Sequence, residues 1–166
     1  NQAARPAKSA DTALVFMGLT ERFESEGLDR ENMDLPENQL KLLNAVLQVN
    51  SNVVVVLCGG ALFETPWLDR VKAAVYGCLG GQAGAGAMAD VLAGHVNPSG
   101  KLAETWPVCY LDAPNHAYYP GRENTAEYRE GIYVGYRYYQ KVHKAVRFPF
   151  GFGLSYTEFE YGALTV

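Results

Sequence analysis

Residues 52–60 read NVVVVLCGG. Val53, Val54, Val55, Val56, Leu57 and Cys58 follow one another with no polar interruption. A strand with one wet face alternates apolar and polar positions, so an unbroken run of this length predicts a strand covered on both faces, as in a parallel sheet. The polar cluster Asn50-Ser51-Asn52 opens the run, and Gly59-Gly60 turns the chain sharply at its C-terminal end.

Outward from this strand the pattern repeats. On the N-terminal side lies a predicted helix. Pro36 sits near its first turn, and Leu40, Leu43 and Leu47 share a face with Val46 beside them. Before it, DTALVFMG at residues 11–18 reads as a second strand buried on both faces, with residues 3–10 as the tail of a preceding helix. On the C-terminal side Thr65-Pro66 has the form of an N-cap and N1 pair opening a short helix. Residues 73–79 suit a third strand, 80–86 a Gly-rich turn, and 87–93 a helix with Met88, Val91 and Leu92 on one side and Gly94 as its cap. Strand and helix alternate over short loops. The fold class is therefore α/β, a mostly parallel sheet flanked by helices. In such sheets function gathers outside the C-terminal strand ends, here the loops 19–35, 59–66 and 80–86.

From Asn97 the style changes. Ten of the 11 tyrosines fall at or after Tyr110, and the helical period disappears. This Tyr-rich irregular tail is expected to wrap a surface of this domain or of another. Ile132, Val134, Tyr136 and Tyr138 alternate with more polar positions and predict an extended stretch, and residues 146–148 a final strand. Tyrosine at this density is read chiefly as packing, with stacking on sugar rings as the functional alternative.

Composition bounds what the chain can do. Its 166 residues and 18.2 kDa are one domain's worth, 48% hydrophobic and 19% charged. No apolar run approaches the roughly 20 residues of a membrane span. The formal net charge of −4 draws it to neither nucleic acid nor an anionic membrane. Cys58, Cys78 and Cys109 are odd in number and widely spaced, which argues against a disulfide framework or a thiolate zinc site. Cys58 and Cys78 end apolar runs and are read as small core residues. His95, His116 and His143 lack metal-ligand spacing, and there is no G-x-S-x-G elbow for a serine hydrolase. Residues 84–89, GAGAMA, match a G-x-G-x-x-A dinucleotide fingerprint, but the acidic residue such a site needs ~20 positions later is missing from its strand. The two glycines are read instead as allowing close helix–sheet packing. No cofactor and no metal are implied. The first ten residues lack the apolar core of a signal peptide, and the chain opens without Met, as a piece of a longer protein would; cytoplasmic and secreted locations both stay open.

The candidate chemistry lies in ERFESEGLDR, residues 21–30. Glu21, Glu24, Glu26 and Asp29 fall within nine residues at a strand's C-terminal end. Crowded carboxylates raise one another's pKa, and a raised carboxyl pKa is what a general acid needs near neutral pH. Glu24 and Glu26 are expected to point the same way in an extended loop. Asp29 and Arg30 are expected to pair and hold the loop, and Phe23 with a lid partner to dry it in part. A solvated acidic loop is the bland alternative.

Taken in order, ESEGLDRENMDLP (24–36), NVVVVLCGG (52–60), ETPWLD (64–69), GQAGAGAMADVLAGHVNPSGKLAETWP (81–107), EGIYVGYRYY (130–139) and FPFGFGLSYTEFEY (148–161) resemble the second, α/β-sandwich domain of glycoside hydrolase family 3, of the β-glucosidase type. The resemblance spans nearly the whole chain, and NPSGKL and FPFGFGLSYT in tandem are its most specific signals. It implies a retaining β-glycosidase acting on terminal β-D-glucosyl residues. A (β/α)8 barrel carries the Asp nucleophile, and the sandwich domain supplies the acid/base Glu from a loop over the barrel's mouth. That residue maps onto Glu26, with Glu24 as runner-up, and Asp29 and Arg30 match supporting positions. On this resemblance residues 1–161 are a partial sandwich domain and 162–166 begin a following, fibronectin-like segment. A barrel takes ~250 residues, so this chain lacks one and by itself should be inactive. Its expected partners are a β-glucoside or oligosaccharide and a barrel in the same or another chain. A module that contacts carbohydrate or supports assembly without catalysis is the alternative. With its first strands elsewhere, the sheet should expose an apolar edge.

Overall fold

A computed structural model describes residues 2–165; Asn1 and Val166, the outer ends of the two expected domain ranges, lie outside the described residues. Three strands, β1 (Ala13–Gly18), β2 (Val53–Cys58) and β3 (Ala73–Tyr76), form a parallel sheet in that order. Ala13 to Gly18 lie opposite Val53 to Cys58, and Val54 to Leu57 opposite Ala73 to Tyr76. Helix α1 (Ala4–Ser9) precedes β1, α2 (Glu37–Leu47) joins β1 to β2, and α3 (Gly84–Leu92) follows β3. Among the described residues no helix is long and apolar enough to cross a membrane.

The core lies between the sheet and α2. Val15 and Met17 from β1, Val53, Val55 and Leu57 from β2, and Leu43 and Val46 from α2 are buried together, with Leu40 and Leu47 packed at the edge. Fully burying a side chain such as Leu43, Val53 or Val55 contributes about 1.5–3 kcal/mol. Phe63, Trp67 and Trp106 continue this core beyond the strand ends. Asn50 and Asn52 do the polar fastening at the opposite end. The Asn50 amide donates to the carbonyls of Ala7 and Ala10, both at 2.8 Å, and the Asn52 amide to that of Asp11 at 2.7 Å.

The tail closes onto the core through a small antiparallel sheet of β4 (Trp106–Pro107) and β5 (Val146–Phe148). Trp106 is buried; its indole N–H donates to the Phe63 carbonyl at 2.7 Å, and its ring meets Tyr76, Phe63 and Phe148. Other tail aromatics, among them Tyr128, Tyr156 and Tyr161, remain exposed.

Several expectations are corrected. β1 is covered on one face only: Leu14 and Phe16 are 49% and 58% exposed, because no described element lies over that side of the edge strand. Cys58 and Cys78 are exposed rather than core. Strand alternation puts Cys58 on the face opposite buried Leu57, and Cys78 already lies beyond β3 with φ of +50°. Thr65 caps no helix with its side chain. A 3-10 turn begins at Leu68, whose N–H reaches the Thr65 carbonyl at 3.1 Å. A Cβ on Gly84 or Gly86 would meet nothing, so helix–sheet contact does not explain them; the close approach runs from Gly80, whose Cβ would lie 2.8 Å from the Gly84 Cα. Residues 136–141 form helix α4 (Tyr136–Lys141), not a strand: no strand stands beside them, whereas the helix buries Tyr139.

Candidate active site

The loop between β1 and α2 leaves the sheet at its C-terminal end and is fastened at its base. The backbone N–H of Gly18 donates to Gln39 Oε1, and Gln39 Nε2 donates back to the Gly18 carbonyl, each at 2.9 Å. Buried Leu35 seats the returning end.

Within the loop the Thr20 carbonyl accepts the N–H groups of Phe23 and Glu24 at 2.8 and 3.0 Å, one helical turn. Ser25 and Leu28 then form an isolated antiparallel bridge, with Glu26 and Gly27 between them. Gly27 has φ of +81°, which a tight turn demands at its third position and which glycine adopts without a Cβ clash. Glu26 thus stands at the tip of the turn, exposed, with no hydrogen bond or ion pair to any described residue.

Glu24, Asp29 and Arg30 are engaged, whereas Glu21, at the start of the loop, is exposed like Glu26. Glu24 turns inward, and both carboxylate oxygens accept the Gly60 N–H, at 2.8 and 3.1 Å. Asp29 Oδ1 accepts the Tyr119 hydroxyl at 3.0 Å, and Tyr119 is held above its ordinary pKa by burial first and by this bond to Asp29 second. Arg30 Nη1 donates to the Leu62 carbonyl at 3.1 Å, and its guanidinium lies 6.0 Å from the centre of the Phe63 ring. Burial lowers the Arg30 pKa, opposed chiefly by the negative charge of Glu24.

Three expectations change here. Glu24 and Glu26 diverge, because the turn replaces the extended loop that would have aligned them. Asp29 and Arg30 take separate partners 90 and 32 residues away instead of pairing. Phe23 is 46% exposed and does not dry the loop. Gly60, Leu62 and Tyr119 were missed as supports. Gly59-Gly60 at a strand end was a usable signal, whereas nothing local marks Tyr119 out among the tail tyrosines. Beside the loop, the Glu64 carboxylate accepts the Tyr110 N–H at 2.7 Å and so joins the tail to the segment after β2. Among the described residues no His, Cys, Asp and Glu gather in threes to hold a metal.

Comparison with known proteins adds identity to this geometry. The chain is 53% identical over its full length to the thermostable beta-glucosidase B of Acetivibrio thermocellus, of which it covers 22%. It is 46% identical over its full length to an exo-alpha-(1->6)-L-arabinopyranosidase of Bifidobacterium longum, again over 22% of that protein. The crystal structure of the Bifidobacterium adolescentis GH3 beta-glucosidase superposes with a TM-score of 0.89 at 50% identity, over 93% of this chain and 23% of that one. The chain thus spans about a fifth of the length of the curated relatives it matches. The profile of the glycosyl hydrolase family 3 C-terminal domain matches residues 1–136, and with it the α/β architecture, the loop and the relatives agree: the chain belongs to that family.

Proposed function

We propose that this chain supplies the general acid/base carboxylate, Glu26, to a retaining β-glycosidase acting on terminal β-D-glucosyl residues. The observation that carries the proposal is the division of labour on one loop. Glu24, Asp29 and Arg30 each fasten it to other parts of the molecule, and Glu26 is held at the turn's tip with its carboxyl uncommitted. A (β/α)8 barrel, in the same or another chain, carries the Asp nucleophile and most of the sugar pocket.

The chemistry then runs in two steps. The Asp attacks the anomeric carbon while Glu26 gives its proton to the departing glycosidic oxygen. Glu26, now a carboxylate, takes a proton from water as that water displaces the Asp from the glycosyl-enzyme. The two carboxyl groups work at about 5–5.5 Å in such enzymes. The acid must begin protonated near neutral pH, and closing the loop over the barrel is what would withdraw Glu26 from water.

Leaving-group dependence tests this in the complete enzyme. Glu26→Ala should lower kcat about 10²–10⁴-fold on alkyl or sugar aglycones, which need protonation. It should spare the glycosylation step on a dinitrophenyl glucoside, which leaves without a proton. Equal losses on both substrates would remove Glu26 from the acid role.

A further inference from the structure

We propose that Glu24 and Gly60 form a clamp that sets the position of the Glu26 carboxyl, which makes Glu24 a positioning residue for the reaction. This rests on the assignment of Glu26 as acid/base. Three observations carry it.

First, Glu24 lies two residues before Glu26 and directs both carboxylate oxygens at a single backbone N–H, at 2.8 and 3.1 Å. A carboxylate accepting an N–H makes a charge-assisted bond, shorter and stronger than a neutral one. Second, the partner stands close to the core, although Gly60 is itself exposed. Gly60 follows β2, whose Val55 and Leu57 are in the core, so the bond ties the loop to the most deeply buried strand. Third, a side chain at position 60 would displace the carboxylate that the contact holds. A Cβ at position 60 would lie 2.9 Å from Glu24 Oε1 and 3.0 Å from Leu79 Cδ1. A side chain there must push the carboxylate away.

The clamp acts with a second tie to the same segment. Glu24 holds the loop before the Ser25–Leu28 turn by Gly60, and Arg30 holds it after the turn by the Leu62 carbonyl, at 3.1 Å. The turn is fixed on both sides, and Glu26 on it can be held in register with a substrate. Glu24 has its carboxylate bound to Gly60 and Glu26 has none of these ties, so the two glutamates have different work.

The test uses the complete enzyme with Glu24→Ala, Glu24→Gln, Gly60→Ala, the Glu24→Ala/Gly60→Ala double variant and Glu26→Ala in parallel. A carboxyl displaced by ~1 Å costs about 10²-fold in rate, so Glu24→Ala and Gly60→Ala should each lower kcat by about that factor with KM nearly constant. Glu24→Gln should recover most of the loss, because its amide oxygen accepts the same N–H, and should keep both limbs of the pH–rate profile. The double variant should fall no further than Glu24→Ala alone, since both changes break one contact. Glu24→Gln as impaired as Glu24→Ala, with the basic limb of the profile lost, would make Glu24 the proton donor and overturn the clamp. If Glu26→Ala collapses while Glu24→Ala turns over normally, the clamp alone has failed. If Glu26→Ala turns over normally, the assignment beneath it has failed.

Discussion

Arg30 shows how one side chain holds the loop between β1 and α2. Its Nη1 bonds to the Leu62 carbonyl and its guanidinium carbon lies over the Phe63 ring, while Nη2 is buried without a hydrogen-bond partner. Desolvating that nitrogen is offset by the hydrogen bond and by the nearby negative charge of Glu24. Arg30→Ala leaves the Leu62 carbonyl unbonded and opens space beside Phe63. A loss of about 1.5–3 kcal/mol is expected, read as a lower unfolding midpoint. Arg30→Lys should recover little, because a single ammonium cannot reproduce the planar donor. At this scale the sequence was half legible. Glu24, Glu26, Asp29 and Arg30 were recognisable as one loop at a strand's C-terminal end, but the partners of Glu24, Asp29 and Arg30 were not. Neighbours in an extended chain point to opposite sides, so Asp29 and Arg30 diverge to Tyr119 and Leu62. Those partners are brought near by the fold and not by spacing.

The elements that anchor the tail meet at Trp106. It joins β4 to β5, bonds to the Phe63 carbonyl, and lies against Tyr76. Trp106→Ala removes a large buried aromatic and leaves Phe63 without its donor; about 3–5 kcal/mol should be lost on denaturant unfolding. Trp106→Phe should cost less, chiefly the indole hydrogen bond. A second tie joins the 3-10 turn Tyr110–Asp112 to the residue run after α4, where Lys144 Nζ reaches Asp112 Oδ1 at 2.9 Å. The hydrogen bond from Lys144 holds the Asp112 carboxyl below its ordinary pKa. A lowered carboxyl pKa stabilises the fold above the unfolded value, and the gain vanishes as pH falls through the folded one. Asp112→Asn should therefore lower the melting temperature at neutral pH, with the gap to the parent closing below about pH 4. Tyr139 in α4 is pushed up to about 12, mainly by burial. β2 and α2 were legible because a buried strand reads as an apolar run and a helix keeps a 3.6 period; β1 and β3 read as apolar runs too, although β1 is open on one face and β3 is only partly covered. β4 was not, since two residues carry no period. α4 was misread because the apolar alternation leading into it lines no buried face: Ile132, Tyr133, Val134 and Tyr136 are all exposed.

At the scale of the whole molecule, the sheet offers one covered face and one edge with Leu14 and Phe16 outward. An unpaired apolar edge strand is a surface made to be covered. The lack of polar alternation pointed to burial on both faces; the exposed edge was expected only from the resemblance, which sets the sheet's first strands elsewhere. The functional loop leaves the same sheet at the C-terminal strand ends, where α/β folds place their chemistry. On the proposed assignment the reaction centre has two halves, one on this chain's loop and one on a barrel. The measurement that tests this most directly is the product formed by Glu26→Ala in the complete enzyme with added azide and an activated aryl β-glucoside. With the acid/base carboxyl gone, azide can enter its place and attack the glycosyl-enzyme. β-Glucosyl azide should accumulate, identified by the anomeric coupling in its NMR spectrum, and turnover should be partly restored. An unchanged rate without azide product, or azide product from Glu24→Ala instead, would contradict the assignment of Glu26.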